Sequence, residues 1–381
     1  MHETARQAWS TADRGGVVAV YQVEGSELEC EYEIESCMRL ARRIAGLKGL
    51  EFAGAHQPAL RASGPVYLVP TDTLVGTDFA ASLGVRDAHD LFGGVAPVSF
   101  VATKAITQPL VAAEAAAPAG WSRLFAARAA DAVLRGYTVF DADDARIAAQ
   151  RLFELGPLRL KPVHARGGLG QVVATDMDQV EVALMHLATA SLACGGLVLE
   201  ENLEEVVTCS VGQVRVGGLV ASYHGTQRLT TNNFGQEVYG GTRLTVVRGG
   251  FDRLLERDLE TAERTAIRQA RTYEDAALAA YPGLLLSRSN YDVAQGRDGR
   301  GRWRSGVLEQ SWRLGGATPA ELVALEAFAA DPALAAVRSE CIEIYGEHET
   351  PPAGADLLLD MEDPRAGRIR KYTLCEEVRD A

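Results

Sequence analysis

Two short apolar runs open the chain. GGVVAVYQV at 15–23 and GPVYLVP at 64–70 are bounded by turn residues and read as buried strands. Between them, CMRLARRIAGL (Cys37 to Leu47) repeats its apolar residues at helical spacing. Strand–helix–strand order predicts a small α/β domain at the front. The pattern continues with a strand over Pro97–Ala102 that leads to Lys104. An alanine-rich connection, AAEAAAPAG at 112–120, precedes a helix over Trp121–Leu134 and a short strand over Gly136–Phe140. Asp141–Leu155 opens with aspartates suited to a helix N-terminus and stops at Gly156-Pro157.

A second unit follows. Strand Leu158–Pro162, a glycine-rich turn and strand Gln171–Ala174 lead to a helix over Met177–Ala193 capped by Asp176, then to strand Gly196–Glu200. Thereafter strands are expected at Thr208–Val216, Leu219–Tyr223 and Leu244–Arg248, before one long helix over Phe251–Ala280. Strands Leu284–Val293 and Trp303–Trp312 flank the turn QGRDGRG. A helix begins at Thr318, and the pattern assigns no role to the mixed segment beyond it.

Composition narrows the classes. The 381 residues suffice for two or three domains, and 47% hydrophobic with 23% charged residues is ordinary for a globular protein. A net charge of −13 argues against nucleic acid and anionic membrane as partners, while leaving room for a small anionic substrate in a locally basic cleft. There is no transmembrane run and no secretory pattern at the start. Six cysteines without C-x-x-C spacing make neither a zinc site nor a disulfide scaffold, so the expected compartment is the cytoplasm.

Two stretches carry candidate chemistry. In LKPVHARGGLGQ (160–171), Lys161 ends an apolar run and Gly167, Gly168 and Gly170 follow. A fixed cation beside unshielded backbone N–H groups would cradle phosphate; an ordinary glycine-rich hairpin turn is the alternative. In the second, alternation along extended strands puts Arg288, Asn290 and Asp292 on one face, and Glu309, Ser311 and Arg313 on one face of the next. Paired as a hairpin, that face holds two carboxylates and two guanidiniums. Such a face binds Mg²⁺ through Asp292 and Glu309, or is a solvated face of cross-strand ion pairs.

These residues stand in an order that resembles the ATP-grasp superfamily: Lys104, Lys161 with its glycine loop, VLEENL at 198–203, Asp292, then Glu309-x-Ser311-x-Arg313. The likeness covers roughly residues 64–316. More narrowly, DLFGGV, FVATKAIT and GVLEQSWRLGGATPAE are similar to a bacterial family of unknown function sometimes labelled biotin-carboxylase-like. The resemblance implies an α/β (α+β) ATP-grasp fold with a central, mainly antiparallel sheet. Its divisions would be a pre-ATP-grasp α/β domain over 1–110, a linker helix and glycine-loop lid over 111–200, a core with the metal site over 201–320, and a C-terminal helix and extension over 321–381.

The same resemblance implies roles. Lys104 and Lys161 would contact ATP phosphates, with Gly167, Gly168 and Gly170 closing over them. Glu200, Glu201 and Leu203 would form the adenine hinge with an acid near the ribose. Asp292, Glu309 and Ser311 would hold Mg²⁺, and Arg313, assisted by Arg288, would stabilise an acyl phosphate. The implied activity joins a small-molecule carboxylate to an amine or thiol, releasing ADP and phosphate. Bicarbonate activation in the manner of biotin carboxylase, and an ATP-binding protein with degraded catalysis, are the alternatives; a homodimer is the expected assembly. Three departures stand out. Ser311 replaces the usual asparagine, Asn290 stands where arginine is usual, and the metal acids are 309 − 292 = 17 residues apart.

Substrate recognition is least defined. The polar segment Tyr223–Arg248 is either a substrate loop using His224, Gln227, Arg228, Arg243 or Arg248, or a polar hairpin. PTDTLVG at 70–76 is a strand-end loop that could meet substrate, and His164 is expected to pack within the lid.

Overall fold

A computed structural model describes residues 16–25, 30–164, 170–187, 189–346 and 350–378. Gly167 and Gly168 lie outside the described residues.

The front of the chain forms a three-stranded parallel sheet with Val17–Tyr21 in the centre, Glu51–Ala55 on one side and Val66–Pro70 on the other. Val18, Ala19, Leu68 and Val69 are fully buried, as an apolar run covered on both faces requires. Helix Glu31–Lys48 crosses between the first two strands. It buries Cys37, Leu40, Ala41, Ile44 and Ala45 at helical spacing, and stops at Gly49 in the left-handed region (φ 65°).

The second unit, expected to hold the lid, is an antiparallel sheet in the order Gly136–Val139, Leu197–Glu201, Leu158–Pro162, Val172–Ala174. Helices Ala142–Phe153 and Met177–His186 cover it. Their caps are the expected ones: Asp141 accepts from Asp144 N at 2.8 Å and Asp176 from Gln179 N at 2.9 Å. Leu158, Leu160, Leu197 and Leu199 meet Ala145, Ala149, Leu152 and Val180 in a separate core.

An eight-stranded antiparallel sheet dominates the rest. Its order is Trp303–Ser311, Arg288–Arg297, Glu204–Val216, Leu219–Thr231, Glu237–Arg248, Ala336–Tyr345, Gly367–Glu377, Asp356–Asp363. Helix Thr261–Ala280 covers one face, with Ile267 and Tyr273 against Tyr291, Val293 and Val307. Each such fully buried side chain contributes about 1.5–3 kcal/mol by area. On the other face, helix Thr318–Ala330 and the front helix pack on Val214, Tyr223, Leu244, Val246, Val337 and Cys341. Gly225 permits close pairing within the sheet, since a Cβ there would lie 1.9 Å from the Arg243 carbonyl oxygen. A small sheet of Leu285–Leu286, Gly94–Ala96 and Leu74–Val75 ties the front to the core.

Several elements differ from the sequence expectation. Pro97–Ala102 is not a strand; Val101 N bonds Val98 O and Thr103 N bonds Phe100 O, giving tight turns that bury Phe100 and Val101 together. The long helix expected over 251–280 is two, Phe251–Leu255 and Thr261–Ala280, because Glu260 and Glu263 form a capping box that starts the second afresh. Met177–Ala193 is likewise divided, into Met177–His186 and Thr189–Gly195. The strands expected at 219–223 and 244–248 extend to Leu219–Thr231 and Glu237–Arg248, so the polar segment between them is a long hairpin. The largest difference lies beyond residue 330. Three strands there join the core sheet, which makes the segment after 320 continuous with 201–320. Among the described residues, no helix is long and apolar enough to cross a membrane.

Candidate functional site

The edge strand Trp303–Ser311 pairs with its neighbour Arg288–Arg297 as a hairpin in which Asp292 faces Glu309 and Asn290 faces Ser311, with a bulge between Asp292 and Val293. The long separation of the two acids is taken up by continued pairing to Arg297↔Trp303, and Asp298 closes the turn by accepting from Arg300 N and Arg302 N.

Glu309 Oε2 lies 2.5 Å from Lys104 Nζ, whose side chain is 4% exposed. Lys104 opens a short 3-10 turn, Lys104–Thr107. The neighbour of Glu309 holds that turn in place, because Gln310 Nε2 donates to Val101 O (3.1 Å) and Thr103 O (2.7 Å). One strand residue thus meets the lysine while the next, on the opposite face, fixes the lysine's backbone.

Asp292 accepts from Gln227 Nε2 at 2.8 Å and from Asn290 Nδ2 at 3.0 Å. Burial pushes its carboxyl up, Glu309 adds to this, and the Gln227, Asn290 and Arg288 contributions offset part of it; the result is about 6. Two carboxylates facing each other under these conditions form a site short of positive charge.

Lys161 and Glu200 form a second buried pair, Nζ to Oε1 at 2.8 Å, each side chain 2% exposed. Glu201 ties the four-stranded sheet to the core: its Oε1 accepts from Arg135 N (3.0 Å) and from Arg304 Nη2 (3.0 Å). Leu203 packs with Leu134 and Ala294 beneath this junction. Glu200 Oε2 and Glu201 Oε2 are buried without hydrogen-bond partners, as are both amide atoms of Gln108. The Gln108 amide reaches this cluster because Gly136 has no side chain; a Cβ there would lie 2.8 Å from Gln108 Cδ and 3.0 Å from Glu200 Cβ. Sequence reasoning missed Gln108, which carries no signal beyond its place four residues after Lys104. Gly170 takes φ 67°, where glycine is favoured. His164 packs against Gly195.

Arg288 is not poised toward open space. It is buried and donates to both oxygens of Glu321, with the shortest bond 2.7 Å, and to the backbone oxygens of Ser311 (3.0 Å) and Arg313 (2.7 Å). Its Nη1 also donates to Ser311 Oγ at 3.3 Å. The Tyr223 hydroxyl lies 2.5 Å from Glu321 Oε1 and 3.0 Å from Asn290 Oδ1, so the network continues to Asp292. The Arg313 side chain turns elsewhere: Nη1 donates to Leu314 O at 2.8 Å, and Nε lies 3.4 Å from Asp72 Oδ1 in the PTDTLVG loop.

Of the polar-hairpin candidates, Gln227 reaches the site. His224 faces the other side of the sheet, 3.6 Å from Glu263, and burial lowers its pKa. Arg243 pairs with Glu340, while Arg248 binds the carbonyls of Phe328, Asp331 and Leu334. No group of three or more His, Cys, Asp or Glu suited to a metal occurs among the described residues.

Solved structures share this architecture. An ADP complex of N5-carboxyaminoimidazole ribonucleotide synthetase matches at 14% identity over 95% of this chain and 93% of that one, with a TM-score of 0.53. The Staphylococcus aureus N5-carboxyaminoimidazole synthetase complexed with ADP matches at 10% identity over 98% and 95%, TM-score 0.55. A biotin carboxylase–β,γ-ATP complex from Campylobacter jejuni matches at 13% identity over 97% and 89%, TM-score 0.51. The fold is ATP-grasp. No curated protein shows significant sequence similarity to the chain. A family profile matches residues 20–373, and the chain accordingly belongs to the family described as "Protein of unknown function (DUF3182)".

Proposed function

We propose that the protein is an ATP-dependent ligase that joins a small-molecule carboxylate to an amine or thiol through an acyl phosphate. The observation that carries this reading is the pairing of both candidate phosphate lysines with site carboxylates, Lys104 with Glu309 and Lys161 with Glu200. Buried lysines need anionic partners, and a polyphosphate can take the carboxylates' place. The unpartnered Gln108 amide and Glu200 Oε2 supply buried polar groups beside Lys161 for the rest of a nucleotide.

The metal suggested by the charge imbalance is Mg²⁺, which uses one or two carboxylates together with phosphate oxygens. Asp292 and Glu309 fit that requirement. Ser311 Oγ is already engaged by Arg288, which favours one ion over two. Bound there, Mg²⁺ would neutralise charge on the transferring phosphoryl group. Lys104 would move from Glu309 to phosphate oxygen, Lys161 from Glu200 likewise, and Arg313 would face the acyl phosphate. Gly170 would let the backbone approach the phosphates and help to exclude water. Six free cysteines support a reducing compartment, the cytoplasm, and a homodimer is the assembly we propose.

Thermal stability with Mg²⁺–ADP, followed by a screen of carboxylate and amine pools for ADP release, tests the reading. Saturating nucleotide at 100 Kd adds about 2.7 kcal/mol. No stabilisation by Mg²⁺–ADP or Mg²⁺–ATP would sink it.

A further inference from the structure

The helix behind the candidate metal hairpin carries one polar atom that packing alone does not require. On helix Thr261–Ala280, Tyr273 is fully buried. Its ring meets Phe125 edge-on with centroids 4.9 Å apart, and its centroid lies 5.5 Å from that of Tyr291. Phenylalanine would fill the same space. What phenylalanine lacks are the two bonds of the hydroxyl, 2.9 Å to Gln310 Oε1 and 3.0 Å to Thr107 Oγ1.

The direction of each bond is fixed by its neighbours. Gln310 Nε2 donates to Val101 O and Thr103 O, which can only accept, so Gln310 turns its oxygen to Tyr273. Tyr273 must then donate to Gln310, and Thr107 to Tyr273. Burial raises the pKa of the Tyr273 hydroxyl, so the proton it donates stays in place. These bonds reach Lys104 from both sides. Thr103 stands immediately before the lysine, and Thr107 ends the 3-10 turn that the lysine opens. Gln310 also follows Glu309, whose carboxylate meets the Lys104 ammonium on the hairpin's other face. One hydroxyl therefore ties the backbone carrying the lysine to the strand carrying its carboxylate partner. Thr107 and Gln310 are both buried, so water does not compete for the bonds.

We propose that Tyr273 is a positioning residue of the nucleotide site: its hydroxyl, acting through Gln310 and Thr107, holds Lys104 where the lysine meets phosphate. The proposal rests on the ligase reading and adds to it a residue behind the sheet on which nucleotide affinity depends. A lysine on its flexible four-carbon stem loses rotamer freedom when it grips an anion, and a fixed backbone beneath it lowers that cost. Without the hydroxyl, the Gln310 oxygen and the Thr107 hydroxyl lose their partner in a buried place. The turn then shifts to find others, and the ammonium shifts with it.

The experiment titrates the full chain with Mg²⁺–ATP by calorimetry in wild type, Tyr273→Phe, Lys104→Met and the double variant, beside thermal melts without nucleotide. Tyr273→Phe is expected to raise the Kd for Mg²⁺–ATP about tenfold. With Lys104→Met already present, the same change should leave Kd where Lys104→Met alone puts it, since no lysine remains to be held. Thr107→Val keeps the side chain's shape and should raise Kd as Tyr273→Phe does, which keeps the inference testable if the tyrosine variant fails to fold. The two changes together should cost no more than the larger one alone. A Tyr273→Phe protein that melts earlier but binds Mg²⁺–ATP with unchanged Kd overturns the proposal, because a purely structural tyrosine would behave that way. So does an equal rise in Kd when Lys104 has been replaced, or a Thr107→Val protein with wild-type affinity. Wild type that binds neither Mg²⁺–ATP nor Mg²⁺–ADP instead refutes the ligase reading itself.

Discussion

Asp292 and Glu309 stand directly opposite each other on neighbouring antiparallel strands, with Lys104 Nζ 2.5 Å from Glu309 and the Gln227 and Asn290 amides on Asp292. Glu309→Gln keeps an oxygen that Lys104 can donate to, and removes one of the two negative charges. ADP release should fall by about a hundredfold or more, with the far-UV circular dichroism spectrum unchanged. Full ADP release by Glu309→Gln with the true substrates would exclude a metal role for this face.

Lys161→Ala tests the lid pair. Both partners are buried, so truncation leaves the Glu200 carboxylate without its cation, at a cost of about 3–5 kcal/mol. The variant should melt earlier than wild type and show little stabilisation by Mg²⁺–ADP. Adding Glu200→Gln should restore much of the melting temperature while leaving nucleotide stabilisation weak. Recovery of both together would assign Lys161 a purely structural place.

Glu321 is fully buried and holds Arg288 and Tyr223 together. Glu321→Gln leaves the Arg288 charge uncompensated, and should lower stability by about 3–5 kcal/mol in urea unfolding. Arg288→Met in the same chain should cost far less than the sum of the two single changes, because the pair fails as a unit. Additive effects would show that the network does not act as one.

Acid stability offers a separate measurement at Asp298. Burial opposes its charge, but the Arg302 side chain and the backbone N–H groups of Arg302 and Arg300 outweigh this and bring the pKa down to about 2. A depressed carboxyl stabilises the fold above its unfolded pKa and loses that contribution as pH falls through the folded one. Asp298→Asn should therefore melt earlier than wild type at neutral pH. The difference should narrow between about pH 4 and pH 2, where wild type loses the same contribution. A gap that stays constant down to pH 2 would contradict the assignment.

The shared faces of the chemistry-bearing hairpin were legible because period-two alternation sets them independently of context, but the partners Asn290↔Ser311 and Asp292↔Glu309 were not, since they depend on a bulge between Asp292 and Val293. Asp141 and Asp176 caps were legible for a similarly local reason. Tertiary relationships were not. That Arg288 turns inward to Glu321 depends on a helix that begins thirty positions later, as 318 − 288 shows. The Gln108 amide reaches the lid only because Gly136 lacks a side chain on a strand that pairs with Leu197–Glu201. The three strands after residue 330 were missed because AVRSECIEIY and GRIRKYTLCEE mix charge into the buried face. Glu343 and Lys371 pair there at 2.8 Å, so alternation of apolar and polar letters does not mark the strands.

Strand Gly367–Glu377 lies between Ala336–Tyr345 and Asp356–Asp363, inside the sheet that also carries Asp292 and Glu309. The edge at Glu237–Arg248 therefore stays unpaired until those last strands are made, whereas the hairpin of Asp292 and Glu309, at the opposite edge, can pair before them. A chain cut back to residue 330 would lose the neighbour of Glu237–Arg248 and present that strand as a new, bare edge for aggregation.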